Sequence, residues 1–218
     1  MSSPLITRAR PSPSRDITFL KELTLAPSRA HEFCGNARHS LALMVSQETQ
    51  GPIFWIHPGW IPDQLNPDGV CRFIDPSRLI FVAPNRAEDL LWSVEEVLRA
   101  GIVPLIVVDI PGFPSLTSVR RLHLAAETGT REGRERPIAL LLTPADGGAQ
   151  GCETRWHMAQ DYKADAPAWH LERRRSRSLA PKAWHITPDQ ERFHLTPALL
   201  KADSTQNPEQ RAQAKAVK

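Results

Sequence analysis

From Asn36 onward, the apolar positions of this chain follow two rhythms. Ala37, Leu41, Met44 and Val45 recur at helical spacing between Asn36 and about Gln47. Gly51 then punctuates the chain before Pro52 to His57, an apolar run that reads as a strand. A second short run, Leu79 to Val82, lies between the turn-like segments DPSR and APN. Asn85 is placed to cap the helix that begins near Ala87. That helix gathers Leu90, Leu91, Val94, Val97 and Leu98 on one face, and Gly101 stands where a helix end favours a left-handed residue. Leu105 to Val108 is a continuous apolar run ending in Asp109. Ser115 then caps a helix to about Thr128, and Ile138 to Leu142 is another continuous run. Strands covered on both faces need no polar alternation, so this order predicts an α/β fold with a mostly parallel sheet flanked by helices.

After Pro144 the pattern changes. A glycine-rich loop, ADGGAQG, leads into three stretches with period two, at Thr154 to Ala159, Ala168 to Arg175 and Ala183 to Thr187. They predict a C-terminal antiparallel β-meander at the sheet edge. The domain therefore spans residues 28–187. Residues 1–27, rich in Pro, Ser and Arg, read as a flexible basic arm. Residues 188–218 read as a polar tail carrying Phe193, Leu195, Leu199 and Leu200 as a docking segment. Four large apolar groups in such a tail imply docking, on the chain's own sheet edge or on a partner.

Composition narrows the class only slightly. At 218 residues and 41% hydrophobic content, one domain with a sizeable core is expected. No apolar run approaches the roughly 20 residues of a membrane span, and the first residues lack the apolar core of a secretory signal. A cytoplasmic protein without membrane contact is the expectation. Cys34, Cys71 and Cys152 have neither the number nor the spacing of a disulfide framework or structural zinc. The net charge of +3 is mild, but Arg173, Arg174, Arg175 and Arg177 crowd together and Arg120 adjoins Arg121. The cluster either guards a sheet edge or contacts DNA phosphates or an acidic partner by charge alone.

The candidate chemistry centres on Asp109. A buried-type strand ending in a carboxylate is the Walker-B pattern, which holds an acid near metal-bound phosphate. The same acid also suits a bland role, capping the turn at Pro111 and Gly112. No Gly-x-x-x-x-Gly-Lys-Ser/Thr loop accompanies it. A threefold recurrence, Trp156-His157, Trp169-His170 and Trp184-His185, would in matching register put three imidazoles on one face. Three histidines can hold zinc, but no carboxylate recurs beside them to orient them, so a tryptophan core with a solvated histidine face is expected. His31 and His39 flank Cys34, but proximity in sequence is poor evidence for a nucleophile pair, since such partners usually meet only in the fold.

The phrases HEFCG, WIHPGWIPDQLNP, EDLLWSVEEVLRAG, RRLHLAAE and RWHM resemble the ImuA family, RecA-like bacterial proteins, over about residues 28–187. The resemblance implies a RecA-like fold and a role as accessory in damage-induced translesion DNA synthesis. Its implied partners are an ImuB-like Y-family polymerase relative, RecA and an error-prone replicative polymerase, with weak DNA binding. Laid over a RecA-type phosphate loop, Phe33 and Arg38 stand in place of glycines and His39 in place of lysine. Only Ser40 suits its role. Where a catalytic acid would follow FWIHPG, the chain has Pro58 and Gly59. Ser40 and Asp109 thus remain as a vestigial nucleotide site, with no catalysis and no cofactor expected. Two other readings stay open: a DNA-dependent ATPase using Arg38, His39, Ser40 and Asp109, and a SulA-like division inhibitor.

Overall fold

The structure, a computed structural model, describes residues 16–162, 167–189 and 193–200. Its frame is a nine-stranded mixed sheet. The strands are β3 (Ala30–Cys34), β4 (Ile53–Ile56), β5 (Leu79–Val82), β6 (Leu105–Asp109), β7 (Ile138–Leu142), β8 (Thr154–Gln160), β9 (Trp169–Ser176), β10 (Lys182–Pro188) and β11 (Phe193–Ala198). They lie in the order β11-β10-β9-β8-β3-β7-β6-β4-β5. From β8 to β5 all pairings are parallel; β9, β10 and β11 continue antiparallel from β8. The α/β class and the C-terminal meander are therefore as the pattern predicts.

Helices cover both faces of the parallel part. On one side α1 (Arg38–Ser46) packs Leu41 and Met44 onto Phe33, Trp55, Val107 and Leu140. The short α2 (Pro67–Val70) adds Val70 to that cluster. On the other side α3 (Ala87–Ala100) and α4 (Leu116–Glu132) bury Leu90, Val94, Leu98, Val119 and Leu122 against Ile56, Ile106, Val108 and Leu141. Ser115 caps α4 by accepting the Ser118 amide, as expected. Asn85 does not cap α3: Arg86 holds the cap position and no side chain bonds there. The helix α4 also runs past Thr128 to Glu132. Gly129 in its last turns lets it meet the end of α3, where Gly101 adopts φ 57° and a Cβ on Gly101 would lie 2.2 Å from the Gly129 carbonyl oxygen.

Three departures from the predicted boundaries share one cause, which is that partners distant in sequence decide what is buried. A hairpin of β1 (Ile17–Phe19) and β2 (Leu23–Leu25) belongs to the body and not to the arm, because Phe19, Leu23 and Leu25 are buried and Phe19 meets Trp156 edge-on at 5.4 Å. Residues 1–15 of the arm lie outside the described residues. The strand β3 is fully buried at the heart of the sheet although it carries His31 and Glu32, so its polarity hides it from any apolar pattern. At the other end, residues 193–198 are not a free tail. Strand β11 pairs with β10 from Phe193↔Pro188 to Ala198↔Ala183, and Phe193 packs on Phe73 and Trp169.

The polar residues of β3 are satisfied individually. Glu32 Oε1 accepts from the Thr143 hydroxyl and the Gly148 and Ala149 amides, and Oε2 accepts from Arg155 Nε at 2.5 Å. His31 Nε2 donates to the Ala26 carbonyl, which leaves Nδ1 to accept from the Thr154 hydroxyl. That hydroxyl oxygen itself accepts from Trp156 Nε1. Burial holds the His31 pKa down at about 4, so the ring is neutral near pH 7.

Candidate functional site

The strands β3, β4, β5, β6 and β8 all end at one edge of the molecule, and the sequence-selected residues Ser40 and Asp109 both lie there. Open parallel sheets carry their ligand sites at this end because the loops that follow the strands converge on it. Here the loop from β3 to α1 is only Gly35, Asn36 and Ala37. Gly35 takes φ 89° and sends its amide to the Ala145 carbonyl at 2.9 Å, and the Ala37 amide goes to the Met158 carbonyl at 3.1 Å. A phosphate loop works by aiming such amides at an anion. These two point into the protein instead.

The side chains complete the closure. Phe33 is a buried strand residue, and Arg38, His39 and Ser40 are already helical. His39 Nε2 lies 2.7 Å from Asp109 Oδ2, its ring stacked on Trp55 with centroids 6.3 Å apart. Arg38 reaches the other carboxylate oxygen of Asp109 at 3.7 Å. Asp109 is therefore engaged by the side chains of both His39 and Arg38. After β4, the Gly59 amide bonds the Pro84 carbonyl at 2.9 Å, and a Cβ there would lie 2.9 Å from Asn85 Oδ1. A catalytic acid at that place would meet its neighbours.

Beside Asp109 a cleft of about 450 Å³ opens between the ends of β4, β5 and β6. Its walls include Arg38, Trp55, His57, Leu65, Phe81 and Asp109. Sequence reasoning missed His57, Leu65 and Phe81 because their part is set by the loop 57–66 folding across the strand ends. The WIHPGWIPDQLNP phrase marks that segment but not its geometry.

The arginine cluster divides. Arg173 is buried on the α1 side of the sheet, its guanidinium 5.6 and 5.5 Å from the Trp156 and Trp184 ring centres and donating to the Ala180 carbonyl. Arg174 faces the other way, bonded to Glu172 at 2.8 Å and to Asp146 at 2.9 Å, and this bond to Arg174 holds the Asp146 carboxyl below its ordinary range. Arg175 is exposed, and Arg177 is exposed with Glu153 at 3.4 Å. The last two lie at the opposite end of the sheet from the cleft, since Ser176 pairs with Thr154 at the start of β8.

The Trp-His repeats are also out of step. His170 pairs with His185, but His157 pairs with Glu172 two positions along. His170 is buried rather than solvated and lies 3.0 Å from Glu172 Oε1. No group of three or more His, Cys, Asp or Glu suited to a metal ion occurs among the described residues. The Cys34 thiol donates to the Trp156 carbonyl at 3.4 Å, and burial pushes its pKa up to about 12, far from a nucleophile's.

Of the proposed docking residues, Phe193 and Leu195 lie against the chain's own core, whereas Leu199 is 89% exposed and Leu200 46%. Among the described residues no helix is long and apolar enough to cross a membrane. No protein-family model matches the chain, and no curated protein matches it.

Proposed function

We propose that this chain is a non-hydrolytic, RecA-like accessory protein of damage-induced translesion DNA synthesis. One observation supports the non-hydrolytic half: the three-residue β3–α1 loop spends two of its amides, those of Gly35 and Ala37, inside the protein while His39 and Arg38 engage Asp109. Phosphoryl transfer depends on joint positioning of phosphate cradle, metal carboxylate and water-orienting acid, and a single carboxylate does not supply it. Ser40 and Asp109 are then relics of a nucleotide site.

The translesion half rests on the ImuA-like phrases. It makes the ImuB-like polymerase relative the main partner, with RecA and the error-prone replicative polymerase in the same assembly, in the cytoplasm. Arg175 and Arg177 supply weak, sequence-indifferent DNA contact. The test is a paired assay on the purified full chain. No DNA-stimulated ATP hydrolysis above background and stable co-purification with the ImuB-like protein are the expected results. Turnover abolished by Asp109→Ala overturns the first half, and failure to co-purify overturns the second.

A further inference from the structure

The cleft beside Asp109 has a composition that a relic does not explain. Its apolar wall is Trp55, Leu65 and Phe81, and its polar groups are poorly matched. Nε of Arg38 and Nδ1 of His57 are buried without a hydrogen-bond partner. The remaining Arg38 contacts are long, 3.4 Å to the Gly35 carbonyl and 3.7 Å to Asp109. Buried polar groups are ordinarily paired, and a guanidinium carries five donors in a fork that fits a carboxylate. The cleft thus joins an apolar pocket to cationic and imidazole donors with spare capacity.

The surface around it is equally uneven. Five aromatic side chains are exposed among the described residues: Trp60, Phe81, Trp92, Phe113 and Tyr162. All but Trp92 lie at the C-terminal end of the parallel strands, Trp60 in the loop after β4, Phe81 in β5, Phe113 after β6 and Tyr162 after β8. Of these Phe81 lines the cleft itself, and aromatic and arginine side chains at a concave apolar centre are the composition of a protein interface and its hot spots. Of the cleft's own acids, Asp109 is held by His39 and Asp63 is exposed at the rim, whereas Asp146 and Asp161, at the same end outside the cleft, oppose an extended phosphate backbone. The inward-turned loop amides remove the cradle that a nucleotide would need.

We propose that this cleft is the docking pocket for a partner protein, taking from it a peptide segment in which a large apolar or aromatic side chain stands next to an Asp or Glu. The apolar side chain enters between Trp55, Leu65 and Phe81, and the carboxylate pairs with Arg38 beside His57. The inference deepens the accessory reading, and rests on it in that the cleft serves a protein and not a nucleotide.

The test selects a phage-displayed random peptide library against the full chain and measures the best binder by fluorescence anisotropy. Enriched peptides should combine Asp or Glu with Phe, Trp or Leu within three positions. Replacing the peptide's acid by its amide should weaken binding at least tenfold, as should Arg38→Gln and Phe81→Ala in proteins with unchanged unfolding midpoints. The peptide-side replacement keeps the test valid if a protein variant fails to fold. Peptides without that pairing, binding indifferent to all three changes, no enrichment, or displacement of the peptide by oligothymidylate each overturn the proposal. Magnesium ATP is added in parallel: hydrolysis lost in Asp109→Ala sinks the accessory reading, whereas no hydrolysis with no peptide bound sinks the docking pocket alone.

Discussion

Gly35 lies against the main chain of Met158 so closely that a Cβ on Gly35 would stand 2.2 Å from the Met158 carbonyl oxygen. The contact couples the loop that begins α1 to the strand β8, 123 residues later in the chain, and it fixes where the Gly35 and Ala37 amides point. The inward direction of these two amides is thus built into the junction of two strands.

Gly35→Ala should therefore cost stability twice, through φ 89° and through the carbonyl contact. A loss of about 2–4 kcal/mol is expected by urea unfolding, at the upper end of ordinary single substitutions. A loss below about 1 kcal/mol would mean that the loop relaxes freely and that its amides are not committed.

The four clustered arginines should separate in two assays. Arg173→Ala removes a guanidinium packed between Trp156 and Trp184, and Arg174→Ala leaves Glu172 without one of its bonds, so both should lower the unfolding midpoint. Arg175→Ala and Arg177→Ala should leave the midpoint within about 0.5 kcal/mol of the parent. If single-stranded DNA is bound, only the latter pair should flatten the salt dependence, by up to about 0.7 per lost phosphate contact.

Truncation after Pro188 removes β11, and with it the packing of Phe193 on Phe73 and Trp169. The melting temperature should fall by several degrees, and Phe193→Ala alone should lose about 1–2 kcal/mol of its partly buried apolar contact. Leu199→Ala and Leu200→Ala should leave melting unchanged. A truncated chain that melts like the parent would return β11 to the status of a loosely attached tail.

Acid should destabilise the fold through His31. Its folded-state pKa of about 4 lies below the ordinary 6.5, so the unfolded chain binds the proton first. Stability from this group is complete above pH 6.5, falls as pH drops from 6.5 towards 4, and stops falling below that. The slope is about 1.4 kcal/mol per pH unit, roughly 3 kcal/mol across the window. His123, likewise lowered to about 4, chiefly by burial, adds in the same direction. Urea midpoints measured from pH 7 to pH 4 should show uptake of more than one proton on unfolding near pH 5, reduced by about one in His31→Gln.

Much of the fold is legible in the sequence where one face or both faces of an element are apolar. Leu79 to Val82, Leu105 to Asp109 and Ile138 to Leu142 are strands at the positions the runs mark. Strand β3 is illegible for the opposite reason, because His31 and Glu32 are made tolerable only by Thr154, Thr143, Gly148 and Arg155, which lie more than a hundred residues away. Of the site, the carboxylate Asp109 at the end of its apolar run is legible, and so is the lack of loop glycines and lysine at Phe33, Arg38 and His39. That His39 then turns onto Asp109, and that a cleft opens against Phe81, depends on loop paths with no periodic signature.

The central position of β3 sets a timetable for the nascent chain. Its two neighbours are β7, ending at Leu142, and β8, ending at Gln160, so AHEFC has no partner strand until more than a hundred further residues have been made, and lacks the second until Gln160. At roughly 5–20 residues per second the ribosome exposes this strand, with its buried-type acid and imidazole, for several seconds before it can pair. The charge on Glu32 then acts as a temporary gatekeeper: it disfavours association with other chains until Arg155 arrives and the same carboxylate becomes internal.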